Sequence, residues 1–381
     1  MFQSKLPHVG TTIFSVMSQL ASEHQAINLS QGFPDYMISP QLMAYVNEAM
    51  HDGYNQYAPM PGIPALRNIL ADKIYKLYQV NVNPETEITI TPGATYAIYT
   101  AFTTFLQAGD EVIVLEPAYD SYIPNITLNG AKAVCVPLKY PDYAVDWQKI
   151  KDAITVHTKA IIINTPHNPT GYVWTADDMH MLDEITINTN ILIISDEVYE
   201  HITLDGRMHE SVLKYENLRA RSFVIYSFGK VFHATGWKIG YCVAPEALNK
   251  EFRKVHQFIG FTTNTPMQVA LAKLLADEHE YLQLPHFFEQ KRNLFLNLIK
   301  DLPFTIYQQA QGSYFQLAGY EKISKLGDKE FAIWLTQHIG VATIPISAFN
   351  HDGKDDQLIR FCFAKKDSTL IEAAERMKKL L

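Results

Sequence analysis

The chain has 381 residues, of which 47 % are hydrophobic and 19 % are charged, a composition typical of a soluble globular protein. A formal net charge of −8 and the lack of a basic stripe argue against a nucleic-acid-binding protein. No apolar run approaches the length of a membrane span, and the N-terminus does not resemble a secretion signal, so we expect a cytoplasmic protein without a membrane partner.

The number of cysteines also limits the chemistry that we expect. Cys135, Cys242 and Cys362 lie far apart in apolar segments. This pattern predicts small core residues in a reducing compartment rather than disulfide bridges or a metal cluster. We therefore expect no metal site.

The first two thirds of the chain alternate between strand and helix signals. Helix-compatible segments at residues 95–106 and 175–187 lie between short apolar runs, and Thr175 is a candidate N-cap for the second helix, with Asp177 and Asp178 in its first turn. This alternation predicts an α/β fold with a mostly parallel sheet. The predicted strands are residues 87–91, 111–115, 133–136, 160–163, 191–194, 223–226 and 240–243.

The pattern changes after Pro245. Helices are predicted at residues 246–259, 266–277 and 278–299, and short strands follow at 312–317, 341–346 and 358–363. Because 381 residues exceed the usual limit of one hydrophobic core, we expect two domains. We predict a large α/β domain at residues 41–277 and a smaller α+β domain at 278–381. Residues 1–40 are expected to form an N-terminal arm and part of the small domain.

Polar side chains that follow the strands are the candidates for a site, because ligands of parallel α/β sheets bind at the carboxyl ends of strands. Gly93, Ala94 and Thr95 join the first predicted strand to a helix start, where backbone N–H groups suit a phosphate. Many strand-to-helix turns contain glycine, so this signal is weak alone. Tyr119, after the second strand, offers a face on which a planar ring can stack, but ordinary aromatic packing explains it equally well in a chain with 21 tyrosines.

Two further strand ends carry residues that suit a charged ring. Asn168 lies in a turn made rigid by Pro166 and Pro169, although Asn-Pro pairs are also common turn formers. Asp196 ends a buried strand, where a carboxylate needs a positive partner such as a protonated pyridine nitrogen. A helix N-cap is the alternative for Asp196. Tyr199, three residues later, is a candidate donor to a phenolic oxygen of the same ring.

Lys230 follows the predicted strand 223–226 and precedes a glycine-containing segment. Partial burial there lowers the pKa of a lysine amine and makes it nucleophilic toward an aldehyde, for which pyridoxal phosphate is the usual cofactor. An ordinary surface lysine in a loop is the alternative. Ser227 and Lys238 are candidates for completing a phosphate site.

Arg360 lies inside the apolar strand 358–363, where an unpaired buried charge is costly. A bidentate contact with a substrate carboxylate suits it, and so does a structural ion pair with an acidic side chain.

Together these motifs resemble those of the fold-type I pyridoxal-phosphate enzymes, specifically the class I/II aminotransferases, over essentially the whole chain from Asn28 to the strand of Arg360. The N-terminal segments at residues 11–14, 20–24 and 31–35 resemble the branch that contains kynurenine/glutamine transaminases and bacterial methionine aminotransferases.

The resemblance implies a role for each candidate residue. Lys230 carries the cofactor and moves the proton. Asp196 pairs with the pyridine nitrogen, Asn168 and Tyr199 bond the 3′ oxygen, and Tyr119 stacks on the ring. The implied phosphate ligands are Gly93, Ala94, Thr95, Ser227 and Lys238.

The resemblance also implies substrate contacts and an assembly. Arg360, Asn168 and the backbone of Gly32 bind the α-carboxylate, and Phe14 lies over the substrate side chain. Tyr57 matches the tyrosine that reaches the phosphate of the neighbouring subunit, so a homodimer with shared active sites is expected.

Two positions depart from the family pattern. Lys238 occupies a position at which the wider family usually has arginine. The single ammonium group of lysine therefore replaces a guanidinium that can donate two hydrogen bonds to one phosphate. His233 replaces a small residue of the lysine motif. Two hypotheses explain it: a substitution that affects only packing, or a modest contribution to the active site.

The expected function is a ping-pong transamination in amino acid metabolism, from an apolar or aromatic amino acid such as methionine, phenylalanine or tyrosine to a 2-oxo acid. A C–S β-lyase acting on cystathionine or a cysteine S-conjugate is the alternative within the same cofactor chemistry. A non-catalytic regulatory protein on the same fold is the third hypothesis.

Overall fold

A central sheet of seven strands organises the computed structural model, which describes residues 3–7 and 9–381. Residues 1, 2 and 8 of the predicted arm therefore lie outside the described residues. In chain order, the strands are β1 Ile27–Asn28, β2 Ile88–Thr91, β3 Glu111–Glu116, β4 Lys132–Pro137, β5 Thr158–Asn164, β6 Leu192–Asp196, β7 Ser222–Ser227, β8 Gly240–Val243, β9 Phe315–Gly319, β10 Val341–Ala342, β11 Ile344–Pro345 and β12 Leu358–Cys362.

The helices lie between these strands and after them. In chain order they are α1 Ile13–Glu23, α2 Pro40–His51, α3 Pro64–Tyr78, α4 Ala94–Phe105, α5 Tyr122–Leu128, α6 Trp147–Ala153, α7 Ala176–Thr186, α8 Glu216–Arg219, α9 Phe228–Val231, α10 Glu246–Ile259, α11 Thr265–Leu274, α12 His279–Leu282, α13 Leu284–Ile299, α14 Asp328–Trp334 and α15 Asp367–Met377.

The central sheet has the strand order β2-β8-β7-β6-β5-β3-β4. Each of its neighbouring pairs is parallel except the two that β8 makes, with β2 and β7. The predicted α/β fold with a mostly parallel central sheet is therefore confirmed. All seven predicted strands of this region are present, with ends displaced by two residues at most.

Burial on both faces explains why these strands are apolar throughout. In β5, Ile161 and Ile163 pack into one hydrophobic cluster, and Ala160 and Ile162 pack into a second cluster. Successive side chains of a strand point to opposite faces, so a sheet covered by helices on both faces needs apolar residues at consecutive positions.

Local signals in the sequence account for several helix boundaries. The Thr175 side chain accepts a hydrogen bond from the Asp178 backbone at the start of α7, and the Asp178 side chain accepts one from the Thr175 backbone, which forms the predicted N-cap. The helix predicted at 278–299 is instead two helices, α12 and α13. Pro285 lies in the first turn of α13, where a proline suits a helix start but does not continue a preceding helix.

Smaller sheets hold the ends of the chain. Strands β11, β12 and β9 form an antiparallel sheet, and β1 pairs in parallel with β10, so the N-terminal segment contacts the C-terminal part of the chain. The strand predicted at 312–317 begins later, at Phe315, because Ser313 has a left-handed backbone with φ of 59°.

Among the described residues, we find no helix with the length and apolar character that a membrane span requires. The domain boundaries at residues 40 and 277 remain predictions.

Candidate active site

A cavity of about 390 Å³ lies where strands of the central sheet end. Asn164, Asp196 and Ser227 are the last residues of β5, β6 and β7, and all three line it. Its position is the one expected for a ligand site of a parallel α/β sheet, and its volume suits a small molecule.

The cavity brings together nearly all the residues that the sequence singled out. Tyr57 is the exception: its side chain is 83 % exposed and does not line the cavity of its own chain. The predicted site residues that line it are Phe14, Gly32, Gly93, Ala94, Thr95, Tyr119, Asn168, Asp196, Tyr199, Ser227, Lys230, Lys238 and Arg360.

The Lys230 side chain lies half-buried in this cavity. It lies on the short helix α9 directly after β7, and its Nζ donates to the carbonyl oxygen of Gly32 at 3.2 Å. Burial, together with the nearby cations of Arg360 and Lys238, lowers the pKa of Lys230 to about 8, against the opposing effects of Cys362 and Asp196. An amine with this pKa is neutral in a large fraction of molecules near pH 8, which makes it a nucleophile and a base.

Asp196 presents a buried carboxylate to the same cavity. Its Oδ2 accepts a hydrogen bond from the Tyr122 hydroxyl at 2.6 Å, and its Oδ1 accepts a longer one from the Val198 backbone at 3.4 Å. Burial raises the pKa of Asp196 to about 6, although both hydrogen bonds favour the ionised form. Within the described chain no α-helix begins directly after β6, so the N-cap alternative for Asp196 is wrong.

The start of α4 forms a positive corner of the cavity. Gly93 precedes the helix with φ of 87°, and a Cβ built on it would lie 3.6 Å from the Lys238 amine. A Cβ on Gly240 would lie 2.5 Å from the Tyr226 carbonyl oxygen and 3.2 Å from the Ala94 nitrogen. Glycine suits position 93 because of its positive φ and position 240 because strand β8 passes close to Tyr226 and Ala94. Lys238 thus lies beside the N-terminus of α4, where an anion is favoured.

Arg360 lies on β12, lines the cavity and is 1 % exposed. Its Nη1 donates to Asn168 Oδ1 at 2.6 Å and its Nη2 to the Ser30 carbonyl oxygen at 2.9 Å. Its Nε has no hydrogen-bond partner among the described residues. Burial lowers the pKa of Arg360 to about 10, so the guanidinium is still charged at neutral pH.

The three cations of the cavity, Lys230, Lys238 and Arg360, form no ion pair with any described residue. The structural ion pair that was the alternative for Arg360 is therefore absent from the described part of the chain. Arg360 is buried and Lys230 is half-buried, whereas Lys238 is exposed. Cations removed from water without a partner are costly, so the cavity suits an anionic ligand. Pyridoxal phosphate fits this donor set, with an amine for its aldehyde, a positive corner for its phosphate and a carboxylate for its ring nitrogen.

Several residues of the site were not found from the sequence. Tyr122 holds Asp196, and the Tyr314 hydroxyl donates to the Gly32 carbonyl oxygen at 2.7 Å. The Phe315 ring lies 3.9 Å from the Arg360 guanidinium carbon, and Phe349 packs edge-on against Phe14 at 5.8 Å. Neither tyrosine differs from the other tyrosines of the chain in its sequence context, so no local signal marks these positions.

His233 does not line the cavity. Its backbone is left-handed, with φ of 58°, and its ring packs edge-on against Tyr36 at 4.8 Å and contacts Phe287 and Phe288. Burial lowers the pKa of His233 to about 4, so the ring is neutral at physiological pH. Of the two hypotheses for His233, these contacts favour a packing substitution.

Comparisons with known proteins agree in one family. The family model for aminotransferase class I and II matches residues 24–377. The chain is 48 % identical over 379 residues to the methionine aminotransferase of Escherichia coli, covering 99 % of this chain and 98 % of that protein. It is 33 % identical to human kynurenine–oxoglutarate transaminase 3, covering 98 % and 89 % of the two chains. The crystal structure of YbdL from Escherichia coli, identified as a methionine aminotransferase, superimposes with a TM-score of 0.97 at 47 % identity and covers 100 % of this chain and 99 % of that one.

Proposed function

Because the chain belongs to the class I and II aminotransferases, which are pyridoxal-phosphate enzymes, we propose that it transfers the α-amino group of methionine, and of similar apolar or aromatic amino acids, to a 2-oxo acid. The similarity to a methionine aminotransferase supports this choice of substrate. Two features of the cavity support it independently.

Aromatic rings surround the group that would bind the substrate carboxylate, and this observation carries the proposal. The guanidinium carbon of Arg360 lies 5.4 Å from the Phe14 ring, 5.0 Å from the Phe349 ring and 3.9 Å from the Phe315 ring. An amino acid whose carboxylate is bound at Arg360 would place its side chain among these rings. Apolar, sulfur-containing and aromatic side chains gain most from such contacts.

The charges of the cavity support the same substrate class. Lys230, Lys238 and Arg360 are the basic residues among those that line it, so no further cation is present for a second substrate carboxylate. The Asp120 carboxylate also lines the cavity and would repel such a group. Acidic amino acids should therefore be poor donors.

We propose that the residues act as follows. Arg360 and Asn168 bind the α-carboxylate and orient the substrate, with the backbone of Gly32 beside them. When bound, pyridoxal phosphate supplies an aldehyde that takes up the amino group and a ring that withdraws electrons from the α-carbon. Asp196 would stabilise the positive ring nitrogen, Asn168 and Tyr199 would donate to the 3′ oxygen, and Tyr119 would stack on the ring.

The Lys230 amine would act as the base that removes the proton from the α-carbon and would return that proton on the cofactor side. Gly93, Ala94, Thr95, Ser227 and Lys238 hold the phosphate in this proposal. Phe14 and Phe349 exclude water from the substrate side chain. The same site serves the amino acid and the 2-oxo acid in turn, as a ping-pong mechanism requires.

The substrate proposal is tested by single half-reactions of the purified holoenzyme with a panel of amino acids. The absorption change of the bound cofactor from its aldehyde to its amine form gives the rate, and the 2-oxo acid released is identified by mass spectrometry. We expect methionine and aromatic amino acids to react faster than aspartate and glutamate. A preference for the acidic amino acids would contradict the proposed substrate class.

The same preparation tests the β-lyase alternative. Cystathionine is incubated with the holoenzyme without any 2-oxo acid. A transaminase should release at most one equivalent of oxo acid per active site, because no acceptor regenerates the aldehyde form. Continued release of pyruvate and ammonia would establish the lyase reaction.

We also propose that the enzyme is a cytoplasmic homodimer with shared active sites and with the two domains predicted at 41–277 and 278–381. The exposed position of Tyr57 supports the dimer, because its side chain is free to contact a neighbouring subunit. Its ring packs edge-on against Phe261 at 5.5 Å, and Phe258, on the same segment as Phe261, is 84 % exposed. Exposed aromatic side chains of this kind commonly mark a protein interface.

A further inference from the structure

Three side chains with metal-binding atoms meet outside the cavity. Glu116 is the last residue of β3, Cys135 lies on the neighbouring strand β4, and His351 lies in the segment that precedes β12. One ligand atom of each residue lies within 4.8 Å of those of the other two. None of the three is among the residues of the candidate active site.

Hydrogen bonds already hold two members of this cluster in place. Glu116 is 5 % exposed, and its Oε1 accepts from the His351 backbone N–H at 2.8 Å. Its Oε2 and the His351 Nδ1 are 2.7 Å apart, with the imidazole as donor because a carboxylate only accepts. The side chain of His351 is 54 % exposed, so the cluster is open to solvent on that side.

The combination of ligand types decides which ion suits the cluster. Thiolate sulfur, imidazole nitrogen and carboxylate oxygen are the three ligand types of zinc, with bonds of about 2.0–2.3 Å. A thiolate disfavours calcium and magnesium, which prefer oxygen ligands. Tetrahedral coordination by three residues leaves a fourth position, and the solvent-exposed side next to His351 leaves room for a water molecule there.

We propose that Glu116, Cys135 and His351 form a binding site for a thiophilic divalent cation, with zinc as the typical ion. The cation replaces the proton that the imidazole shares with Glu116 and the proton of the Cys135 thiol, and both protons pass to the solvent. The exposed His351 ring makes the small movement that brings all three ligands to bonding distance. This proposal does not depend on the identity of the amino acid substrate.

The site would connect two segments that carry parts of the cavity. Tyr119 follows Glu116 closely in the chain, and the Ala118 backbone N–H donates to the Phe349 carbonyl oxygen at 2.8 Å. Phe349 in turn contacts Phe14 and lies 5.0 Å from the Arg360 guanidinium carbon. A bound cation would therefore hold the aromatic wall of the substrate site against the end of β3.

Zinc binding to the holoenzyme tests the proposal. The protein is first treated with a chelator and dialysed, and zinc is then titrated while bound metal is measured by equilibrium dialysis. We expect one saturable zinc ion per chain. Cys135→Ser and His351→Ala should each weaken binding by about tenfold or more, as loss of a ligand requires. His286→Ala removes another exposed histidine as the matched control, and its zinc affinity should equal that of the original protein.

A second measurement tests whether zinc reaches Cys135 itself, without counting the bound metal. Alkylation of Cys135, followed by mass spectrometry of the peptide, should slow when zinc is added to the original protein and to His286→Ala, but not to His351→Ala. Circular dichroism confirms that each variant is folded. The absence of saturable binding, or equal zinc affinity in all variants, would overturn the proposal.

Discussion

At the scale of single residues, Lys230 shows how burial prepares a side chain for chemistry. Its amine lies near the cations of Arg360 and Lys238, whose effect Cys362 and Asp196 oppose. Removal from water disfavours the charged amine, and so do the neighbouring cations. The cavity thus contains a lysine that loses its proton near pH 8 rather than near its ordinary pKa of 10.5.

This pKa predicts the pH dependence of cofactor uptake by the apoenzyme. Only the neutral amine attacks an aldehyde, and a lowered pKa means that the neutral form dominates above about pH 8. The rate of uptake should therefore rise as the pH increases toward 8 and become constant above it. The visible absorption band of protein-bound pyridoxal phosphate gives the rate. A rate that still increases steeply at pH values near 10.5 would indicate an ordinary exposed lysine.

Two variants control this measurement. Lys230→Ala should not develop the band or turn over amino acids, while its far-ultraviolet circular dichroism is retained. Lys149→Ala removes an exposed lysine on α6, whose amine lies 3.8 Å from Asp146, and should behave as the original protein. Transamination by Lys230→Ala would contradict the role proposed for this residue.

At the scale of elements, helix α3 carries two lysines in different environments. Lys73 is buried and forms an ion pair with Glu200, which also accepts a hydrogen bond from the Tyr78 hydroxyl at 2.8 Å. Lys76, one turn later, forms an exposed ion pair with Glu278. Burial would raise the pKa of Glu200, but Lys73 and His201 lower it below its ordinary value, so the buried carboxylate is ionised.

The two ion pairs predict different effects on stability. Glu200→Gln leaves Lys73 buried without its anion, which should destabilise the fold by about 3–5 kcal/mol. Glu278→Gln, which removes the partner of Lys76 on the same helix, is the matched control, and it should change stability little because water screens the exposed pair. Urea unfolding of the two apoenzyme variants gives the comparison. Equal losses of stability would show that the buried pair contributes no more than the surface pair.

Glu200 also connects this helix to the site, because it directly follows Tyr199 in the chain. The carboxylate is fixed by Lys73 and by Tyr78, and the Tyr241 hydroxyl donates to it at 3.3 Å. These contacts hold the turn that carries Tyr199. This turn directly follows β6, whose last residue is Asp196. The packing of α3 against the sheet therefore supports the position of two candidate cofactor ligands.

At the scale of the whole molecule, the exposed aromatic residues Tyr57, Phe258 and Phe261 are the basis for a test of the proposed dimer. Phe258→Asp places a charge among these residues and should convert a dimer into monomers, as measured by size-exclusion chromatography with light scattering. Val156→Asp is the control, because Val156 is 91 % exposed and belongs to another segment. A dimer that survives Phe258→Asp would place the interface elsewhere.

Tyr57→Phe separates assembly from cofactor binding. If the Tyr57 hydroxyl reaches the phosphate in the neighbouring subunit, its loss should weaken cofactor binding by about tenfold or more, the value of one hydrogen bond to a charged group. The mass of the particle should not change. Unchanged cofactor affinity would contradict the shared active site.

The amino-acid sequence by itself determined the elements and most of the candidate site. Consecutive apolar residues predicted the buried strands, Thr175 predicted the start of α7, and the rule that ligands bind at the ends of parallel strands selected Asp196, Ser227 and Lys230. These are local properties, because strand and helix signals extend over a few neighbouring residues. The resemblance to the class I/II aminotransferases then assigned segments that lie far apart in the chain to one active site.

Only the tertiary structure decided which distant side chains meet. Tyr122 reaches Asp196 across 74 positions of the chain, Lys73 reaches Glu200 across 127, and His351 reaches Glu116 across 235. The sequence predicts Cys135 to be a small core residue, because the three cysteines lie far apart in apolar segments. Such contacts arise from the order of strands in the sheet and from the packing of the C-terminal segments against it, which no local pattern of residues contains.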